Sequence, residues 1–152
     1  MAAPKLLLTE DDHLRATLRW AQLAASRWPC LRLLLHYPGE NKGQHSGRQR
    51  RQKGVRPGVP DLLLPVARAG YHGLAVEIKR PRQLDERGRI RSREGVLSPE
   101  QRDWLEALER EGWRAETCYG ADAAIRLVEN YVSGSLQRPA SDPVLIGVGG
   151  DA

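Results

Sequence analysis

The sequence predicts a mixed α/β domain in which a small sheet is covered by helices. Three observations lead there. Apolar residues switch between helical and strand spacing in the order helix, strand, hairpin, helix, strand, helix. Capping signals mark where the helices begin. A length of 152 residues with 40% hydrophobic content suits a single domain with its own core, and 28% charged residues interspersed with Leu, Val and Trp is too ordered a composition for a disordered chain.

The first helix is expected over residues 10–28. Thr9 and Asp12 stand at the spacing of a capping box, Leu14, Leu18, Ala21, Ala25 and Trp28 recur on one helical face, and Pro29 stops it. Residues 31–36 are an apolar run of strand length that ends at the Pro38-Gly39 turn. Residues 61–66 and 74–79 read as two strands joined through a turn at 67–73, a hairpin. Ser98, Pro99 and Gln101 combine an N-cap, a proline at the first helical position and a capping-box glutamine, so a helix begins there with Trp104, Leu105 and Leu108 on its apolar face and Gly112 as its stop. Residues 114–119 supply a further strand, and Asp122 is placed to cap a last helix carrying Ile125, Val128, Tyr131 and Val132. The domain is expected over residues 1–133. Residues 134–152, rich in Gly, Ser and Pro, form a tail in which Val144, Leu145 and Ile146 are expected to add an edge strand or contact a partner.

No apolar run approaches the ~20 residues needed to cross a bilayer, and the N-terminus lacks the pattern of a secretory signal. Cys30 and Cys118 stand alone, without zinc-type or disulfide-framework spacing, which points to a reducing cytoplasm. The formal charge of +5 is unevenly placed. Residues 41–58 hold six bases and no acid (Lys42, Arg48, Arg50, Arg51, Lys53, Arg56), and residues 79–93 hold seven bases, among them Arg80, Arg82, Arg89 and Arg91, against two acids. The other 119 residues carry 11 bases and 17 acids. Both basic segments lack apolar periodicity and are expected to be loops. An Arg-rich loop without an apolar stripe suits phosphates and not membranes, although solvated surface loops would look the same in sequence.

Alternation along residues 74–79 sends Leu74, Val76 and Ile78 to one face and Glu77 and Lys79 to the other. Asp61 opens the neighbouring strand of the hairpin, so its carboxylate can approach Glu77. Two such carboxylates repel unless a cation lies between them, and a hard divalent ion with oxygen ligands is the natural occupant. Lys79 beside it could orient or deprotonate a water, or offset charge on a phosphate. An ordinary Glu-Lys pair on a solvated strand face remains the alternative. Gln101 lies three, four and seven positions before Trp104, Leu105 and Leu108, and Glu10 four and eight before Leu14 and Leu18, so both point inward with the apolar stripes. Each also has a local role to fill, Gln101 in the capping box and Glu10 at the helix dipole.

Taken together, Gly58, Val59, Pro60, Asp61 and Leu62, then Glu77, Ile78 and Lys79, then Leu97, Ser98, Gln101 and Trp104, and finally Gly112 resemble the virus-type replication-repair nuclease (VRR-NUC) domain of the PD-(D/E)xK nuclease superfamily. The resemblance covers roughly residues 9–132. It implies a restriction-endonuclease-like core and a DNA endonuclease dependent on Mg²⁺, with Mn²⁺ as a substitute. Carried over by position, Asp61 and Glu77 would be metal ligands, with the Ile78 carbonyl as another and Glu10 completing the metal environment. Lys79 would be the catalytic lysine and Gln101 the motif glutamine near the site. It further implies branched DNA such as Holliday junctions as substrate, a homodimer, no nucleotide cofactor, and a bacterial, phage or prophage source. Two departures stand out: Leu14 replaces an expected glutamine, and the segment from Arg80 to Val96 is longer and more basic than the family pattern.

The rival from the residues alone is a non-catalytic basic module that binds nucleic acid, which needs the loops but not the acids. A metal-free hydrolase is a poor third. Ser46 follows His45 with no nucleophile elbow around it, and His13, His36 and His72 read as surface or strand-end histidines. The four tryptophans, Trp20, Trp28, Trp104 and Trp113, read as core or interface residues.

Overall fold

The computed structural model describes residues 7–38, 54–137 and 139. Helix α1 (Glu10–Ala24) opens on the expected capping box: Thr9 Oγ1 accepts from the Asp12 N–H at 3.2 Å and Asp12 Oδ2 accepts from the Thr9 N–H at 2.8 Å. The helix ends four residues short of the expected Trp28. Trp28 precedes Pro29, whose ring disfavours helical backbone at the residue before it, and Trp28 accordingly leaves the helical region (φ −123°, ψ 86°). Pro29 then starts a 3₁₀-helix (Pro29–Leu33), so of the expected strand over 31–36 only β1 (Leu35–His36) forms.

The main sheet has the order β1-β2-β3-β6, with β2 at Leu62–Leu64, β3 at Leu74–Lys79 and β6 at Arg114–Tyr119. The β2–β3 hairpin is antiparallel as expected, with Leu62 opposite Val76. β6 runs parallel to β3, Glu77 opposite Thr117, after the crossover through helix α2 (Pro99–Arg110). Helix α3 (Ala121–Val132) follows β6 directly.

β3 is buried along its whole length because helices cover both faces of the sheet. Leu74, Val76 and Ile78 face the larger core with Leu62, Leu64, Val128 and Tyr131, on the side of α1 and α3. On the other side Ala75 meets Leu105, Ala115 and Trp113 beneath α2. Each fully buried aliphatic chain contributes roughly 1.5–3 kcal/mol relative to exposure. The period-2 alternation therefore separates two interiors, not an interior from water, and Glu77 and Lys79 share the α2 side with Ala75.

Two further expectations are corrected. Asp122 does not cap α3; the N-cap is Gly120, which has no side-chain bond to offer. The first helical N–H, that of Ala121, is satisfied across the fold by Nδ1 of His13 at 3.2 Å. His13 is thus a buried link between α1 and α3, not a surface histidine. The second basic segment is also no simple loop: residues 83–92 form a ribbon of their own, β4 (Gln83–Leu84) paired antiparallel with β5 (Ile90–Ser92). Among the described residues no helix is long and apolar enough to cross a membrane. Residues 140–152, with the expected edge strand, lie outside the described residues.

Candidate active site

The site forms where β3 outruns β2. The last pair of the hairpin ladder is Leu62 with Val76, so the β2-facing edge of Ile78 has no strand partner. Asp61, the residue before β2, fills that gap: its Oδ2 accepts from the Ile78 N–H at 2.8 Å. A strand residue presents its N–H and C=O to the same edge, so the Ile78 carbonyl faces the same gap. Asp61 is itself fixed, its carbonyl accepting from the Tyr37 N–H at 3.0 Å and lying 2.9 Å from His36 Nδ1.

Glu77 and Lys79 are 2% and 6% exposed, which disposes of the solvated-face alternative. Glu77 Oε1 lies 3.1 Å from Lys79 Nζ and accepts from Gln101 Nε2 at 2.5 Å. Gln101 meanwhile completes the capping box of α2, with Oε1 accepting from the Ser98 N–H at 2.9 Å and its own N–H donating to Ser98 Oγ at 3.2 Å. One amide thus ties the start of α2 to the buried carboxylate. The other Glu77 oxygen, Oε2, is buried and has no hydrogen-bond partner. Burial pushes the Glu77 carboxyl up to about 7, with the nearby Asp61 charge adding to the rise and Lys79 opposing it. Asp61 is raised too, first by burial, against the pull of the Ile78 N–H.

Glu10, in the first turn of α1, reaches the same place from the opposite layer. Its Oε2 is 3.9 Å from Lys79 Nζ and its Oε1 accepts from the Arg80 N–H at 3.4 Å. Its charge helps raise both Asp61 and Glu77. Among the described residues no group of three or more His, Cys, Asp and Glu side chains comes together closely enough to hold an ion. As folded, Asp61 lies against Ile78, its charge acts on the buried Glu77, and Glu10 is held at the lysine.

Two glycines, Gly58 and Gly95, make these approaches possible. Gly58 (φ +82°) passes so close to the Glu100 backbone at the start of α2 that a Cβ would overlap it. Trp104 Nε1, which donates to the Pro57 carbonyl at 3.0 Å, pins the same segment. Gly95 packs against Glu10 and Lys79, where a Cβ would collide with the Glu10 carboxylate. Neither contact has a local sequence signal, since each partner is remote in the chain.

The candidate phosphate contacts divide. Lys42, Arg48, Arg50, Arg51 and Lys53 lie outside the described residues. Arg56 is exposed, its backbone N–H bonded to the Tyr37 hydroxyl at 2.9 Å. Arg80 donates to the Arg93 carbonyl, Arg82 forks onto Glu94 at 2.9 and 3.0 Å, and Arg89 pairs with Asp85 at 2.8 Å. Arg91 is exposed. Arg82 and Arg89 thus already hold carboxylates.

A mixed sheet between helices, with paired acids and a lysine at the end of its central hairpin, defines a restriction-endonuclease-like α/β domain. The model of the VRR-NUC domain family matches residues 11–122, and the chain belongs to that family, a nuclease-type domain. A solved structure described as "VRR_NUC domain protein" is 26% identical with a TM-score of 0.61, the match covering 84% of this chain and 91% of that one. No curated protein matches.

Proposed function

We propose that the protein is a divalent-metal-dependent endodeoxyribonuclease acting on branched DNA, with Asp61, Glu77 and the Ile78 carbonyl as the ion's ligands and Mg²⁺ or Mn²⁺ as the ion. One observation carries this reading: a buried Glu77 oxygen has no partner and stands beside a second acid, so the gap at Ile78 is short of positive charge. The donors are all oxygen, as hard cations require. Two carboxylates, fewer than a dedicated protein cage supplies, suit Mg²⁺, which keeps several waters and uses substrate phosphate oxygens.

A bound ion supplies Lewis-acid polarisation of the phosphate and a water of lowered pKa. The chain's own groups do the rest. Lys79, its ammonium fixed between Glu77 and Glu10, orients the attacking water or offsets charge growing on the phosphate. Gln101 holds one Glu77 oxygen in place, leaving the other free for the ion. Arginines of the basic segments grip backbone phosphates and set the scissile bond over the acids. Cutting a four-way junction symmetrically calls for two such sites related by a twofold axis, so two copies acting together belong to this reading.

The test is cleavage of junction, flap and linear duplex DNA by wild type and Asp61→Asn, in Mg²⁺, Mn²⁺ and EDTA. Wild type is expected to cut only with metal. Asp61→Asn is expected to lose cleavage while binding DNA as well as wild type or better, because it removes an acid and no arginine. Equal cleavage by both proteins in Mg²⁺ would overturn the assignment, and binding without cleavage by wild type in either metal would leave a nucleic-acid-binding module.

A further inference from the structure

The β4–β5 ribbon carries a feature that phosphate binding does not explain. It is fastened on one side: Gln83 Nε2 donates to the Leu8 carbonyl at 3.0 Å, and the Gly95 N–H donates to the Arg80 carbonyl at 2.8 Å. Leu84 and Ile90, directly paired across its strands, are each 56% exposed. Cross-strand partners share a face, so the two aliphatic chains stand side by side in water. Such a cross-strand pair adds at most about 1 kcal/mol to the ribbon while leaving most of both side chains in water.

The surroundings of the pair are cationic. Arg82 and Arg89 are taken up by Glu94 and Asp85 and serve to hold the ribbon's shape. Arg87, Arg91 and Arg93 are exposed, and among the described residues their guanidinium groups form no hydrogen bond or ion pair, Arg91 and Arg93 acting only at longer range on Asp85 and Glu94. The register jumps by one residue between the two strands, leaving Arg91 without a partner on β4, and a bulge of this kind bends and twists a ribbon. The base of the ribbon adjoins the acidic site, since Gly95 packs on Glu10 and Lys79.

We propose that this ribbon is a wedge for duplex DNA at a branch point: Leu84 and Ile90 enter the base stack where the branch weakens it, while Arg87, Arg91 and Arg93 hold the flanking phosphates. Aliphatic side chains inserted between base steps unstack and kink DNA, at a cost smallest where stacking is already interrupted. A protein partner would cover the aliphatic pair equally well, but three exposed guanidinium groups within three residues of it in the sequence match phosphates. The proposal rests on the nuclease reading, because the ribbon stands beside the proposed cleavage site.

The experiment uses the full chain with Ca²⁺, on a four-way junction carrying 2-aminopurine next to the branch and on a linear duplex of the same sequence. Wild type is expected to raise the fluorescence of the junction and leave the duplex unchanged. Leu84→Ser/Ile90→Ser is expected to lose that rise while binding linear duplex as wild type does. Both positions are exposed, so its melting temperature should match wild type; Ile90→Ser alone provides the same comparison should the double variant lose the ribbon. Arg87→Ala/Arg91→Ala is expected to weaken binding to both DNAs and to reduce the salt slope by about 2. A serine variant that keeps the fluorescence rise overturns the wedge. So does a serine variant that sediments as a monomer where wild type is a dimer, which would assign the pair to a contact between copies. A wild type that cleaves the junction in Mg²⁺ yet raises no fluorescence overturns the wedge alone, and one that neither binds nor cleaves removes the nuclease reading with it.

Discussion

Acid meets base in two places in this molecule, with opposite outcomes. On the ribbon, Glu94 is held by the two-pronged guanidinium of Arg82 in open water, and its carboxyl is pushed down to about 2, chiefly by that hydrogen bonding. On β3, Glu77 also has a cation beside it, yet its carboxyl is pushed up to about 7. Burial outweighs the lysine there, and Asp61 adds a second negative charge to the same small volume. The exposed pair is electrically finished. The buried cluster holds acids that the Lys79 ammonium does not balance among the described residues, and such imbalance is characteristic of sites that bind something.

The sharpest way to break this contrast is to remove the lysine. Lys79→Met keeps most of the volume but takes away the ammonium at Glu77 and Glu10, and cleavage is expected to fall about 10²–10⁴-fold, the span usual for a positioned proton-transfer or charge-stabilising group. Single-turnover rates in saturating Mg²⁺ measure this, and a rate within twofold of wild type would show that the lysine is only structural.

Next in size is the pH dependence of the metal-free fold. The folded-state value of Glu77, about 7, lies above its ordinary 4.5. The stability associated with its protonated form is therefore fully present below 4.5 and is lost as pH rises through 7. From pH 4.5 to 8 the loss is about 3 kcal/mol, with Asp61 acting in the same direction. Urea unfolding in EDTA at pH 5 and pH 8 should show it, and Glu77→Gln should flatten the difference. A wild type equally stable at both values would mean that the acids are far better solvated than their burial indicates.

Gln101→Leu comes third. It removes the acceptor for the Ser98 N–H and the donor to Glu77 together, at an expected cost of about 1–2 kcal/mol. The fold should survive, with the titration midpoint of Glu77 displaced further upward. Smallest of all, Glu94→Gln on the ribbon should leave the melting temperature unchanged within error, since exposed ion pairs contribute little.

The helix starts were readable in the chain because a capping box closes within four residues: Thr9 with Asp12, and Ser98 with Gln101, formed as their spacing required. Strand β3 was readable from period-2 alternation, which also acts between near neighbours. The apolar stripe runs on to Trp28, but the helix stops before it, because the residue before a proline avoids helical backbone. Asp122 looked like a cap by type, but His13, 108 positions away in the chain, had already taken the N–H of Ala121. The ribbon carries no such local signal, because its strands are only two and three residues long and mostly polar.

From the amino-acid order alone come the element sequence, the inward aim of Gln101 and the presence of two acids and a lysine at hairpin spacing, since periodicity and capping act over a few residues. Only the tertiary structure decides that α2 covers the second face of β3, so that Glu77 and Lys79 are buried instead of bathed, and that Asp61 sits against Ile78 at the end of a ladder. Burial belongs to what packs over a residue, and the helix whose Gln101 holds Glu77 lies more than twenty positions further along the chain.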